Sequence, residues 1–329
     1  MRDPSELSEL DLSGFSGVAS IGELGDAPTV RAAGLADRRW SIDTTPATVF
    51  GIASGTKGFT ATTVMAIVDA GELDLSTTAR SLLGSDLPLV DDRVTVLDLL
   101  THRSGIGDYV DEEAIDSVDD HILSVPVHQL DHTTAYLPVL DGHPQREAPG
   151  QRFVYNNSGF VLLALLAERA TGIPFERAMH RMVIEPAGLK ATEFHRMDTL
   201  PTGVATGYLS DDPSQLRTNE LHLPVRGSGD GGLFSCADDI HRFWAALFDG
   251  RLVTPPTFRS MIERRTAAHE AGYGLGFWLG DDGTVRLEGH DAGVSFASGV
   301  DPASGRVWSV LSNTAGGVWP IAQQLGPTA

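Results

Sequence analysis

Two residues three positions apart carry the clearest chemistry in this chain. In Phe50-Gly-Ile-Ala-Ser54-Gly-Thr-Lys57-Gly-Phe, a serine beside glycine opens an apolar segment that runs from Thr60 to Ala70. On a helix, residues i and i+3 share a face, with Cβ atoms about 5–6 Å apart, so the lysine amine can reach back to the serine hydroxyl. The helix start also directs unpaired N–H groups and a positive dipole end at that hydroxyl. A serine becomes a useful nucleophile when a neighbouring base takes its proton. Of the 24 Lys plus Arg residues, only Lys57 and Lys190 are lysine. Arginine keeps its proton, whereas a partly desolvated lysine can release one. The plainer alternative is an N-cap serine followed by a solvated first-turn lysine.

Two further stretches bear groups that could serve such a serine. Tyr155-Asn156-Asn157 precedes another apolar helix, in a chain with only four asparagines. A phenol beside a cation can relay a proton, and the Asn157 amide both donates and accepts. The alternative there is a turn with Asn157 or Ser158 capping the next helix. Glu288-Gly-His290-Asp291-Ala292-Gly293 ends a strand-like run. Gly293 would let a backbone N–H approach a carbonyl closely, with His290 beside it. A lone strand histidine is otherwise structural.

The elements that must position these groups are legible in outline. Residues 16–24 and 28–36 read as two strands joined at Gly25-Asp-Ala27, and strand-like runs return at 273–279, 284–288, 295–300 and 306–312. Between them the pattern is mainly helical, with helices expected over 54–70, 95–100, 158–170, 174–182 and 237–248, and a last short one over 316–325. Gly71 and Gly172 stand where helices stop, and Ser235 stands where the 237–248 helix would be capped. The expected class is α+β: a mostly antiparallel sheet built from N- and C-terminal segments, flanked by helices, with a mainly helical insertion. On that scheme residues 1–71 and 256–329 form the sheet domain, 72–255 the insertion, and the active site lies in the cleft between them. Residues 108–145, acidic and histidine-containing with few apolar anchors, read as a long loop or lid.

Composition narrows the function class. A 329-residue chain with 41% hydrophobic and 21% charged residues has ample material for a core. A net charge of −20 argues against nucleic-acid or anionic-lipid partners. One cysteine, Cys236, excludes an internal disulfide. No apolar run reaches the ~18 residues of a membrane span, and the first twenty residues lack a basic-then-apolar leader. The expectation is therefore cytoplasmic, or extracellular if a leader was removed. Composition is silent on the oligomeric state.

The three elements in this order resemble the serine β-lactamase and penicillin-binding group, and within it the class C β-lactamase-like serine hydrolases: esterases, D-aminopeptidases, D,D-peptidases and β-lactamases. The family pattern is S-x-x-K, Y-x-N, then a K-T-G or H-x-G strand. Here these are Ser54-Gly-Thr-Lys57, Tyr155-Asn-Asn157 and His290-Asp-Ala292. Supporting stretches are Leu99–Gly105, Ala148-Pro-Gly150, Gly231–Asp239 and Tyr273–Phe277, so the likeness spans about residues 15–313. Ala292 stands where the pattern ends in glycine, and its methyl is expected to narrow the groove beside the nucleophile.

What the resemblance implies is an acyl-enzyme route. Ser54 attacks a carbonyl carbon, and Lys57 with Tyr155 handles the proton, with the formal base left open. The N–H groups of Ser54 and Gly293 form the oxyanion hole. Asn157 orients the substrate or Lys57. His290, with Asp291 and Ala292, lines the substrate groove beside a carboxylate or the Tyr155 hydroxyl. Water then releases the acid. No cofactor and no metal is expected. The substrate would be a small carboxylic ester or amide, with a β-lactam or D-amino-acid peptide also open. An acyltransferase with the same nucleophile, or a sensor that acylates without turnover, are the alternatives.

Other patterns are weaker. Gly227-Ser-Gly229-Asp-Gly-Gly232 matches a dinucleotide-binding fingerprint without its βαβ setting and reads instead as a wall of the cleft. His121, His128, His132 and His143 read as solvated loop residues rather than metal ligands. His102 is expected to shape the loop beside the site, Cys236 to be small and buried, and Trp278, Trp308 and Trp319 to be core.

Overall fold

A computed structural model of the chain describes residues 5–110, 121–268 and 271–326. Its centre is an eight-stranded sheet, each neighbouring pair antiparallel. We label its strands β1 (Gly17–Glu23), β2 (Thr29–Ala33), β3 (Thr266–Ala268), β4 (Ala271–Tyr273), β5 (Trp278–Leu279), β6 (Val285–Asp291), β7 (Val294–Val300) and β8 (Arg306–Ser312). The order across the sheet is β2-β1-β8-β7-β6-β5-β4-β3. The two ends of the chain thus meet where β1 pairs with β8, Gly17 opposite Ser312 and Glu23 opposite Arg306.

The period-two burial of these strands separates two apolar layers. Val285, Leu287, Phe296, Val307 and Leu311 face the larger core, whereas Ala297, Trp308 and Val310 face a second cluster with Leu7, Ile321 and Leu325. The larger layer is covered by α1 (Thr56–Asp69) and α3 (Ala237–Phe248), with α2 (Asn157–Thr171) packed against α1. Phe59 of α1 stacks on Phe243 of α3 with ring centroids 4.0 Å apart, and Trp244 Nε1 donates to Ser298 Oγ of β7 at 2.9 Å. Helix α1 is buried over Thr56–Ile67, as its nearly uniform apolar pattern implies.

Boundaries differ from expectation where local chemistry intervenes. The expected helix from Ser54 starts as a 3₁₀ turn, Ala53–Gly55, before α1 proper. The expected 174–182 helix is α-helical over Phe175–Met179 and then π-helical over His180–Ile184, ahead of Pro186. Ser235 does not cap α3: the N-cap position is Cys236, without a side-chain bond, and Ser235 instead pairs with Phe50 in a short two-stranded ladder. The expected run over 273–279 is split between β4 and β5 by a turn containing Gly276, at φ +84°. In the 108–145 region, residues 111–120 lie outside the described residues. The remainder is better anchored than its composition suggests, because Leu130, Tyr136 and Val139 are fully buried and Val127 and Leu130 accept backbone bonds from Val225 and Arg226.

Candidate active site

The turn that presents Ser54 is held by the strand across from it. Ile52 N–H donates to Leu233 O, Leu233 N–H donates to Thr56 Oγ1, and Thr56 Oγ1 donates to Ala53 O at 2.7 Å. Ala53 takes a left-handed φ of +44°, rare for a residue with a side chain, immediately before the serine. Lys57 follows one turn on and is buried. Its Nζ lies 2.9 Å from Ser54 Oγ, 2.7 Å from Asn157 Oδ1 and 2.8 Å from the carbonyl oxygen of Asp230.

Helix α2 brings the second group. Asn156 is its N-cap, with Oδ1 accepting from Gly159 N–H at 2.7 Å. The first two helical amides, of Asn157 and Ser158, donate to the Asp108 carboxylate at 2.8 and 2.9 Å. Asp108 is buried, and desolvation raises its pKa against the pull of those hydrogen bonds and of Lys57. Tyr155 lies just ahead of the helix, its ring 4.5 Å from that of His102 and nearly parallel to Trp278 at 6.0 Å. Lys57 Nζ is 5.0 Å from the Tyr155 ring centroid.

His102 sets this arrangement. Its Nδ1 accepts from Asn156 N–H at 3.1 Å, so the proton sits on Nε2, which faces Tyr273 Oη at 3.1 Å. Burial, then the Lys57 charge, holds its pKa well below the usual imidazole value, and it stays neutral. The expectation that His102 shapes the loop therefore acquires named contacts.

Residues Gly227–Gly232 form the facing wall. Gly229 O accepts from Thr60 Oγ1 at 2.7 Å, and Asp230 O accepts from Lys57. The glycine-rich run is thus a wall tied to α1 and not a phosphate loop. A cleft of about 360 Å³ opens at Ser54, lined also by Tyr155, Asn156, Glu288, Gly289 and His290. Trp278 and Trp319, expected in the core, line this cleft as well, while Trp308 is buried. Cys236 is buried, its thiol pushed up to about 11 by desolvation.

The third motif is placed differently from expectation. Gly293 sits in the turn between β6 and β7 with φ +66°, and a Cβ there would lie 2.8 Å from Tyr208 N. The strand residue that abuts the serine is Gly289: a Cβ there would fall 3.0 Å from Ser54 N, 2.9 Å from Gly55 N and 2.1 Å from Ile52 O. The reason is the two-residue turn, which pairs Asp291 with Val294 and carries Gly293 past the end of the strand. Ala292 is likewise buried in that turn, its carbonyl accepting from Asn219 Nδ2 at 2.9 Å, and its methyl does not line the cleft. Asp291 lines a neighbouring cavity, and His290 lines the cleft with its ring exposed, 6.2 Å from Trp319.

The backbone alternation of β6 completes the geometry. Gly280 N–H donates to Thr284 O, so every second residue from Thr284 directs its N–H and C=O away from β7. Strand β5 covers that edge only opposite Val285 and Arg286. Beyond them, Glu288 and His290 direct their main-chain groups off the edge that runs past Ser54. Sequence reading missed Asp108, Asp230 and Gly289; only the glycine left a signal, as the sole small residue before His290 in the strand.

Comparison with known proteins agrees with this architecture. The family profile described as Beta-lactamase matches residues 12–323. The chain is 31% identical over 293 residues to Esterase EstB of Burkholderia gladioli, covering 79% of this chain and 73% of that one. It is 26% identical over 268 residues to a putative penicillin-binding protein, PbpX, of Bacillus subtilis, covering 81% of this chain but 62% of that longer one. The crystal structure of a penicillin-binding protein from Bacillus halodurans superposes with a TM-score of 0.88 at 33% identity, over 94% of this chain and 96% of that one. The chain belongs to the beta-lactamase family, within the β-lactamase-like serine hydrolase superfamily.

Proposed function

We propose that the protein hydrolyses a small carboxylic ester or amide through an acyl-enzyme on Ser54. The observation that carries the reading is the placement of Lys57 Nζ within hydrogen-bond reach of Ser54 Oγ, Asn157 Oδ1 and Asp230 O. Asn157 Oδ1 and Asp230 O can only accept, so a neutral amine gives each of them an N–H and turns its lone pair toward the Ser54 hydroxyl. In the forward step Ser54 Oγ bonds to the carbonyl carbon while its proton passes to Lys57. The tetrahedral oxyanion accepts from the N–H of Ser54 and from an N–H on the β6 edge, that of His290, in place of the expected Gly293. Collapse breaks the bond to the leaving group, which recovers the proton through Lys57 and the Tyr155 phenol. Water then attacks the acyl-serine by the same proton route and the acid leaves.

Asn157 acts through Lys57, and His290 with Arg146 gives the cleft wall cationic and donor groups suited to a substrate carboxylate. The similarity to an esterase supports hydrolysis of an activated ester. The direct test is intact-mass analysis after treatment with a serine-directed fluorophosphonate and with activated esters. One adduct per chain, on Ser54, absent from Ser54→Ala, is the expected result, together with continued release of product beyond one equivalent. Unchanged labelling of Ser54→Ala would overturn the proposal.

A further inference from the structure

We propose that the adjacent residues Asp108 and Tyr109 are positioning residues for the Lys57 amine, each fixing one of the two groups that accept a hydrogen bond from it. The inference rests on the acyl-enzyme reading above and concerns how its base is held. Lys57 carries its amine on a flexible four-carbon stem, so the direction of Nζ is set by what it donates to. Those acceptors are Asn157 Oδ1 at 2.7 Å, at the start of α2, and Asp230 O at 2.8 Å, in the glycine-rich wall. They lie far apart in the sequence, and a single dipeptide grips both.

Asp108 holds the first. Its buried carboxylate uses both oxygens: Oδ2 accepts from Asn157 N–H at 2.8 Å, and Oδ1 accepts from Ser158 N–H at 2.9 Å and from Ser158 Oγ at 3.0 Å. These amides are the first two of α2, which the helix cannot satisfy from within, and its positive end favours a carboxylate. Tyr109 N–H donates to Ser158 Oγ at 2.9 Å and Asn156 Nδ2 donates to Ile106 O at 3.0 Å, so the chain is tied to the start of α2 on both sides of Asp108. A shift of the Asn157 backbone would break a bond to a buried carboxylate, and the side chain is thereby kept with Oδ1 on the lysine.

Tyr109 holds the second. Its phenol donates to Asp230 Oδ2, while the carbonyl oxygen of the same aspartate accepts from Lys57. Gly229 and Gly231 flank Asp230 and have no side chains to anchor, so the one side chain of this triplet is the one that Tyr109 grips. The dipeptide thus closes a ring of contacts through Asn157, Lys57 and Asp230, and Ser54 Oγ lies 2.9 Å from the amine held in it. A displacement of about 1 Å in a group of this kind can cost about 10²-fold in rate.

The test is steady-state hydrolysis of p-nitrophenyl acetate, with enzyme concentration set by fluorophosphonate titration of Ser54 so that unfolded chains do not count. Asp108→Asn keeps the size but turns an NH₂ toward one of the α2 donors, and Tyr109→Phe removes only the hydroxyl. Each should lower kcat by about 10-fold or more while KM changes by less than about 3-fold. The two should part in an Asn157→Leu background. There Asp108→Asn should cost less than about 3-fold, because the side chain it positions is gone, whereas Tyr109→Phe, working through Asp230, should keep its full effect. A loss confined to KM would make these residues substrate contacts, and an undiminished Asp108→Asn effect in the Asn157→Leu background would mean the carboxylate acts by another route. Either result overturns the proposal, as does an unchanged kcat in Tyr109→Phe, which decides alone if Asp108→Asn yields no titratable sites. All of these results leave the hydrolase reading standing. Failure of fluorophosphonate to label Ser54 in the wild type would remove both.

Discussion

Gly289 of β6 lies against the backbone of Ser54 so closely that a single methyl group at Gly289 would fall 3.0 Å from the Ser54 amide nitrogen and 2.1 Å from Ile52 O. Both neighbours are main chain, in a turn already holding Ala53 at positive φ, so neither can yield cheaply. Gly289→Ala should therefore push the strand edge from the nucleophile and lower kcat on an activated ester by about 10²-fold or more, the order seen when one oxyanion donor is lost. Gly293→Ala, placed at φ +66° against Tyr208, should instead lower Tm while folded enzyme still labels at Ser54. Stopped-flow labelling with a fluorophosphonate distinguishes the two. If Gly293→Ala lost labelling and Gly289→Ala kept it, the oxyanion hole would return to Gly293.

Lys57 is expected to serve both rate and stability. Its side chain is buried against Ser54, Asn157 and Asp230, and Lys57→Met replaces it with an apolar chain of similar length. Activity on activated esters should fall at least 10³-fold, and Tm should drop, because Asn157 Oδ1 and the Asp230 carbonyl lose the N–H that each accepts from it in a buried setting. Asn157→Leu removes one acceptor and should cost about 10- to 10²-fold in kcat with a smaller change in KM, since Asn157 acts through the lysine. A pure KM effect would instead make Asn157 a substrate contact.

The parts of this site that were legible in the sequence are those set by local spacing. Ser54 and Lys57 are one helical turn apart whatever the fold does, and Asn156 caps α2 through its own third neighbour. The strands at both ends of the chain carry a period-two pattern strong enough to give the antiparallel sheet. What depended on a turn length was misplaced: the two-residue connection after Asp291 moves Gly293 beyond the nucleophile and leaves Gly289 beside it. Asp108 and Asp230 were invisible because each contributes through a partner 49 or more positions away in sequence. The four asparagines carried more information than their motifs did. All are buried at the site or its adjoining cavity, yet Asn219 and Asn313 sit in no pattern that spacing could reveal.

His102 is a positioning residue, and its removal should be read in two ways at once. Its Nδ1 is the acceptor for the buried Asn156 N–H, and its ring lies tilted against the Tyr155 ring, centroids 4.5 Å apart. His102→Leu should destabilise by roughly 1–3 kcal/mol, the cost of leaving a buried donor unmade. It should also lower kcat more than it raises KM, because Tyr155 loses its support. Chemical denaturation and steady-state kinetics on the same preparation check both. A loss of stability with kcat unchanged would confine His102 to the fold.

Acid sensitivity has a second buried histidine to draw on, away from the cleft. His241 of α3 is buried, with Nε2 3.3 Å from Ser20 Oγ of β1 and Nδ1 without a partner among the described residues. Desolvation lowers its pKa from 6.5 to about 4, against a weaker opposing pull from Asp238. The folded state therefore prefers the neutral ring. Its contribution is complete above the unfolded value and is lost as pH falls from about 6.5 toward 4, amounting to about 3 kcal/mol at the lower end. His102, also held neutral, adds to the loss in the same direction. Urea unfolding at intervals between pH 7 and pH 4 should show wild-type stability dropping faster than that of His241→Gln. His102 and the carboxylates are common to both proteins, so the difference between the two curves reports His241 alone. Parallel curves over that range would mean the ring protonates in the fold as readily as in the open chain.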